Sequence, residues 1–360
     1  MLRNLHRDIY WPFIWSLFGL IMIGTLFIWS AGYHDSGNYV SKQMVWILIG
    51  LVTLLAVYLI GYRTFLNVSY LLYVAAVAML FLVFVAGQRH LGAQRWLQIG
   101  PLAIQPSEFA KLATVLAIAN FLGSHHSWEK SFRIVIIALG LFFLPLILIV
   151  KQPDLGTALL FVPMILAILF LWGIQYRYLI VAGLSGLVAA PFFWQFLKEY
   201  QRKRILTFMD PSQDPLGAGY TAIQAKIAVG SGGLLGKGYM AGTQSQLQFV
   251  PEHHTDFIFC VLGEEWGFIG ALLLLCLYGF LFRAAFQIMN HTTDVRAKLL
   301  VGGVVTILFS QVFINIGMTF GLMPITGLTL PLVSYGGSSF MTTMFALGLV
   351  LSINRERSIF

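Results

Sequence analysis

Charge is scarce in this chain. Only 10% of its 360 residues are Asp, Glu, Lys or Arg, whereas a soluble domain runs to about a quarter. That scarcity excludes a water-soluble globular surface, and with it disorder and a coiled coil, which both need abundant polar side chains. Cysteine is scarcer still, since Cys260 and Cys276 are the only two, and a disulfide scaffold is excluded. They lie in one apolar stretch, out of bridging reach along a continuous helix, and read as small buried hydrophobes. What fills the sequence instead is apolar: 58% of residues are hydrophobic, 30 are Phe, and mean hydropathy is +0.82. This is the composition of an integral membrane protein.

A bilayer core needs roughly 20 apolar residues per helix. Ten segments approach that length: Pro12 to Ala31, Gln43 to Gly61, Leu66 to Ala86, Phe109 to Gly123, Ile134 to Val150, Leu155 to Gly173, Tyr178 to Leu197, Phe257 to Phe282, Leu299 to Met323 and Leu332 to Ile353. The first follows Arg3, His6 and Arg7 and is too long for a cleaved signal peptide. The fourth is short and carries Lys111. The fold class is therefore an all-α polytopic membrane protein of about ten transmembrane helices, a single membrane domain over residues 1–360.

The net charge of +8 raises the question of a nucleic-acid partner, but the positions of the cations answer it in favour of topology. An even number of spans places both termini on one side. Loops on that side hold Arg3, Arg7, Arg63, Lys130, Arg133, Arg177, Arg283, Arg296, Lys298, Arg355 and Arg357, against Lys42, Arg89, Arg95 and Lys151 on the other. The positive-inside rule makes the termini cytoplasmic. Asp35, Asp154, Asp210, Asp214, Glu252 and Asp256 then fall outside.

Two external segments are longer than simple connections, Gly87 to Ser107 and a large extracytoplasmic loop over 198–256 between spans seven and eight. Within the second, Tyr220 to Val229 has the make-up of a short amphipathic helix at the interface. Function is expected on these loops, which a rigid set of spans would position.

Charges at the membrane edge are costly, so each is a candidate functional group. Glu108 and Lys111 share a helix face, either as a packing ion pair or as the lining of a polar cavity. Asp154 stands where it would cap the helix beginning at Leu155. Glu264 and Glu265, two turns into the eighth span, need structural partners. PEHHTDFIF ends the long loop and brings Asp256 to the mouth of that span, where it reads as a helix cap, as a general base beside His253 or His254, or as one ligand of a divalent cation such as Mg or Mn. Spacing alone supplies no third or fourth metal ligand. Arg95, Arg202, Arg204, Lys226 and Lys237 are cations suited to phosphate oxygens, or else solvated side chains. The stretch GSGGLLGKGY has Ser231 and Gly238 where a Walker loop needs Gly and Ser or Thr, and that reading is rejected. PLVSYGGSS brings Ser334, Ser338 and Ser339 to the last span, either for close helix packing or for a polar headgroup or sugar.

With GAQRWL at 92–97, QPSEFAK at 105–111, QPDLGTA at 152–158, DPLGAGY at 214–220, FVPEHHTDFIF at 249–259 and PLVSYGGSS at 331–339, the chain resembles the SEDS family of bacterial membrane proteins (shape, elongation, division, sporulation). The stretch GTQSQLQFVPEHHTDFIF is more similar to the rod-shape branch than to the division branch. The resemblance implies a ten-span fold in the bacterial cytoplasmic membrane and an inverting glycosyltransferase that polymerises lipid II into β-1,4 glycan strands at the outer face, for elongation and rod shape. It implies Asp256 as the catalytic carboxylate and Glu108, Lys111 and Arg95 as motif positions, with Glu108 and Lys111 holding the cavity and tuning Asp256. Asp154, His254 and the three serines are expected to support that cavity. The implied partners are a class B penicillin-binding transpeptidase and the elongation machinery, besides membrane lipids and lipid II itself; no nucleic acid is expected.

Two rival readings stay open on the residues. A lipid-precursor flippase predicts polar groups spread across the bilayer, whereas the inner halves of these spans hold few. A non-catalytic scaffold for a penicillin-binding protein predicts that Asp256 is dispensable.

Overall fold

With no water to receive backbone N–H and C=O groups, an apolar run of this length crosses a bilayer only as a helix or in a closed barrel. The computed structural model describes residues 10–33, 38–90, 93–99, 102–125, 132–195, 199–215 and 217–357. Arg3, His6, Arg7, Asp35, Gly92, Lys130, Leu197, Lys198 and Leu216 lie outside the described residues. In chain order the elements are α1 (Trp11–Ala31), α2 (Tyr39–Ile60), α3 (Tyr62–Asn67) and α4 (Ser69–Ala86), then β1 (Gln88–His90), β2 (Ala93–Ile99) and β3 (Leu102–Ile104). They continue with α5 (Pro106–Ser124), α6 (Phe132–Lys151), α7 (Leu155–Trp172), α8 (Tyr176–Trp194), α9 (Glu199–Met209), α10 (Ala218–Ser231) and α11 (Thr243–Gln246). The last are α12 (Ile258–Glu265), α13 (Gly267–His291), α14 (Val295–Thr319) and α15 (Gly337–Arg357).

Among the described residues, eight helices are long and apolar enough to cross a membrane: α1, α2, α4, α6, α7, α13, α14 and α15. Of the two further segments expected to span, 109–123 lies within α5 and 178–194 within α8, and neither is among those eight. The most deeply buried spans are α14 and α15. Helix α14 packs on α5 and α7, and α15 lies along α2. Peripheral α2 and α4 turn Leu48, Val52, Leu71 and Val85 outward, a surface suited to lipid and not to water. Arg63 Nε sits 3.1 Å from Glu356 Oε2 and ties α3 to the end of α15.

Three features depart from the sequence reading. Between α4 and α5 the fold is not all-α: β1, β2 and β3 form an antiparallel sheet, with Leu97 opposite Ile104 and Gln98 opposite Ala103. Outside hydrocarbon, backbone groups are free to pair between strands. The eighth span does not run unbroken from Phe257. It breaks at Trp266, and the crossing helix is α13. Gly267 holds φ +59°, and a Cβ there would stand 2.4 Å from the Gly236 nitrogen. The glycine turn 233–238 fits into the break, where Phe268 N–H donates to Gly233 O at 2.9 Å and Lys237 N–H to Glu264 O at 3.0 Å. Glu264 and Glu265 therefore precede the crossing helix. Cys260 is buried in α12, but Cys276 faces outward on α13, contrary to the expected burial of both.

The long loop has structure of its own. Helix α9 and a 3-10 turn at Pro211–Gln213 lead into α10, which covers the expected amphipathic segment. Ala225 and Ala228 of α10 are buried in a cluster with Phe257 and Cys260, while Ile223 and Ile227 are exposed.

Candidate active site

Polar groups of the 249–257 turn must find partners where it enters the bundle, and they anchor it on three sides. Both His253 ring nitrogens face carbonyl oxygens, Nε2 at 2.9 Å from Ala31 O and Nδ1 at 3.1 Å from Val250 O. This fixes the turn to the end of α1. The His254 ring lies 4.2 Å from the Tyr39 ring on α2, and its backbone carbonyl accepts from Tyr335 N–H at 3.0 Å. Asn315, fully buried in α14, donates from Nδ2 to Asp256 O at 2.8 Å and to Leu328 O at 2.6 Å. One amide thus joins this turn to the segment preceding PLVSYGGSS.

That anchoring presents the Asp256 carboxylate free. Helix α12 has Phe257 at its N-cap with no side-chain cap, so Asp256 is not the helix cap that was one of its readings. Among the described residues its side chain forms no hydrogen bond or ion pair, and it is half-buried beside Gly327. Burial, then the charge of Glu252, pushes its pKa up to about 7, against the opposing pull of Arg204 and Arg95. Asp154 adds to the upward push. Glu108 and Lys111, expected to tune this carboxylate, are not among the charges with the largest effect on it. The His–His–Asp metal reading does not assemble either. His253 faces carbonyls with both nitrogens, and among the described residues no three His, Cys, Asp or Glu side chains are grouped to hold a metal.

Asp154 is the junction of the neighbouring motifs. Its Oδ1 accepts from Thr157 N–H at 3.3 Å, the expected cap of α7. Its Oδ2 accepts from the Ser107 and Thr157 hydroxyls, both at 2.9 Å, and from Gln105 Nε2 at 3.0 Å. Arg95 of β2 approaches Oδ1 at 3.6 Å and donates to the Pro153 carbonyl. One carboxylate therefore joins the sheet, the start of α5 and the start of α7. The serines of PLVSYGGSS are buried and bonded internally. Ser338 Oγ accepts from Gln105 N–H at 3.1 Å, Ser334 Oγ from Leu330 N–H at 2.8 Å, and Ser339 Oγ from the Thr329 hydroxyl at 2.9 Å. This is the close-packed helix entrance of the sequence reading.

Deeper on α5, Lys111 Nζ lies 2.9 Å from Glu108 Oε1, both buried, and the Thr342 hydroxyl donates to Glu108 Oε2 at 3.3 Å. With Gln311 they line a cavity of about 30 Å³, room for one water.

The five candidate phosphate-binding cations separate. Lys237 is 2.7 Å from Glu264 Oε1, and Glu264 also accepts from the backbone N–H groups of Gln244 and Ser245 at the start of α11, so this cation is the counter-ion of a structural carboxylate. Arg202 donates to Gln195 O at 2.7 Å on the exposed face of α9, and Arg95 is held at Asp154. Arg204 and Lys226 alone of the five converge, lining one pocket with Thr207, Phe208, Met318 and Met323. Adjacent residues on a helix diverge by about 100°, so Arg204 shares a face with Thr207 and Phe208 and not with Arg202.

Sequence reasoning missed Gln105, Gln311, Asn315 and Thr342. Their signal was a side-chain amide or hydroxyl beside or within an apolar run, which needs a partner there.

The cell cycle protein family model, which takes in FtsW, RodA and SpoVE, matches residues 7–359. Peptidoglycan glycosyltransferase MrdB of Escherichia coli (strain K12) is 43% identical over 342 residues, covering 95% of this chain and 92% of its own. Peptidoglycan glycosyltransferase RodA of Treponema pallidum (strain Nichols) is 33% identical over 418 residues, covering 95% and 96%. Among solved structures, a chain from work on how a peptidoglycan synthase complex coordinates polymerization and crosslinking superposes with a TM-score of 0.84 at 34% identity, over 96% of this chain and 98% of that one. The Thermus thermophilus rod shape determining protein RodA superposes with a TM-score of 0.73 at 31% identity, over 96% and 97%.

Proposed function

Because the chain belongs to the cell cycle protein family of FtsW, RodA and SpoVE, we propose that it is a peptidoglycan glycosyltransferase that polymerises lipid II by inversion at the outer face of the membrane. The observation that carries the reading is Asp256: a carboxylate left without a protein partner among the described residues, with its proton affinity raised to the range where a general base operates near neutral pH.

In this mechanism Asp256 takes the proton of the acceptor GlcNAc 4-hydroxyl as its oxygen bonds to C1 of the donor MurNAc. The C1–O bond to pyrophosphate breaks with its electron pair, and undecaprenyl pyrophosphate departs. Displacement from the opposite face converts the α-linked donor to a β-1,4 bond. Arg204 and Lys226, the pair that shares a pocket, bind the leaving pyrophosphate, whose developing charge needs fixed cations. Asp154 and Arg95 position the sheet and α5 around the site. The partner is a class B penicillin-binding transpeptidase within the elongation machinery, a reading supported by the complex in which a structural relative coordinates polymerization with crosslinking.

The test is polymerisation of labelled lipid II by purified protein in liposomes, with and without the transpeptidase, beside a folded Asp256→Asn variant. Polymer from wild type alone is the expected result. Lipid II crossing the bilayer with no polymer would instead establish the flippase, and polymer from the variant would establish a role for Asp256 outside the chemistry.

A further inference from the structure

Beside the two-cation pocket lies a second cavity that the transfer mechanism leaves unused. It has a volume of about 340 Å³, within the range of small-molecule sites, and is lined by Lys226, Val229 and Gly230 of α10, Gly263 of α12, Phe268 of α13 and Phe320. Apart from Lys226 its walls are apolar or glycine. Phe268 belongs to the first turn of a crossing helix, so the cavity sits at one end of a membrane span. The apolar side chains beside it, Leu234 and Leu235, are 73% and 77% exposed, as suits a surface that meets lipid and not water.

Lys226 belongs to both cavities. On one side it faces the pocket it shares with Arg204, and on the other it stands at the edge of the apolar groove. Its ammonium lies across the backbone at Gly321, where a Cβ would come within 2.4 Å of Nζ. Among the described residues it forms no hydrogen bond or ion pair. A cation without a protein acceptor, continuous with an apolar groove at membrane level, is complementary to an anionic head carrying a hydrocarbon tail.

We propose that the groove between α10 and α13 binds the isoprenoid chain of the lipid-linked donor, with its pyrophosphate at Lys226 and Arg204. The assignment rests on the glycosyltransferase reading above and deepens it. Because the pyrophosphate leaves with the tail still attached, the same groove retains the polyprenyl product until it returns to the bilayer.

Gly230 supplies the test. It lies on α10, and a Cβ added there meets no atom within 4 Å, so a larger side chain is accommodated by the fold but occupies the groove. Full-length Gly230→Leu protein is assayed with its transpeptidase partner on labelled lipid II carrying either the complete undecaprenyl chain or a two-isoprene chain, and its thermal midpoint is compared with that of wild type. The expected result is a wild-type midpoint and a fall of at least about tenfold in the ratio of kcat/KM for the long chain to that for the short one, the scale on which apolar pockets discriminate. An unchanged ratio at a wild-type midpoint overturns the proposal, as does an equal loss on both substrates. If the ratio returns to the wild-type value in liposomes of neutral phospholipid only, the occupant is an anionic phospholipid and the isoprenoid assignment is overturned. The underlying glycosyltransferase reading fails separately, if wild type makes no polymer from either substrate.

Discussion

The perturbed carboxylate makes the pH profile of polymerisation the sharpest test of the site. A general base works only when ionised, and Asp256 has its pKa pushed up to about 7. With that value about 9% of the protein is active at pH 6 and about 91% at pH 8, so kcat/KM rises about tenfold between them and continues down tenfold per unit below pH 6. The second part of the prediction is directional. Glu252 adds to the upward push and Arg204 opposes it, so Glu252→Gln moves the inflection to lower pH and Arg204→Gln moves it higher. Glutamine at 252 keeps an acceptor for the Thr255 hydroxyl, which reaches Glu252 Oε2 at 3.3 Å, so the turn is preserved. The assay is the initial rate of glycan formation in liposomes at constant ionic strength from pH 5 to 9. A flat profile from pH 6 to 8, or an inflection that rises in Glu252→Gln, would refute the assignment of Asp256 as the base.

Other consequences follow from the same geometry. A carboxylate whose folded-state pKa lies above its unfolded value binds more protons folded than unfolded, so its contribution to stability declines as pH rises from about 4 to 7. Asp256→Asn is therefore expected to raise the thermal midpoint at pH 8 while leaving it unchanged at pH 4, and it lowers kcat by about 10²–10⁴. Lys111→Met leaves Glu108 buried without its cation and is expected to cost about 3–5 kcal/mol, whereas the double change with Glu108→Gln recovers much of that in a thermal or denaturant double-mutant cycle. Lys226→Ala is expected to raise KM for lipid II at least tenfold, while Arg202→Ala, on the exposed face of α9, changes it less than twofold in the same polymerisation assay.

Some of the site was already legible along the chain. Asp256, Asp154 and Glu108 each interrupt an apolar pattern at a helix start, and a charge there demands an explanation. The cap at Asp154 followed from one residue type at one position. The function of the cations was not legible, because Arg202, Lys203 and Arg204 are neighbours in sequence yet diverge around α9. Lys203 pairs with Asp214 at 3.2 Å, Arg202 bonds to Gln195 O, and Arg204 enters the pocket with Lys226. Nor did the sequence reveal that Asn315 would join Asp256 to Leu328, since a side-chain amide in an apolar run signals a need for a partner without saying which partner.

The sequence by itself determined what the membrane selects for: long apolar helices, their order, the segments between them that stay outside lipid, and the carboxylates at their edges. Those properties are one-dimensional, because transfer to hydrocarbon is roughly a sum over consecutive residues and the helix closes its own hydrogen bonds. Tertiary structure decided the rest. It paired the strands of 88–104, broke the helix at Trp266 where a glycine turn enters, gathered three motifs around Asp154, and left Asp256 free beside Arg204 and Arg95. Each of these depends on groups far apart in the chain meeting at hydrogen-bonding or Coulomb distance, and local hydropathy carries no information about which distant groups those are.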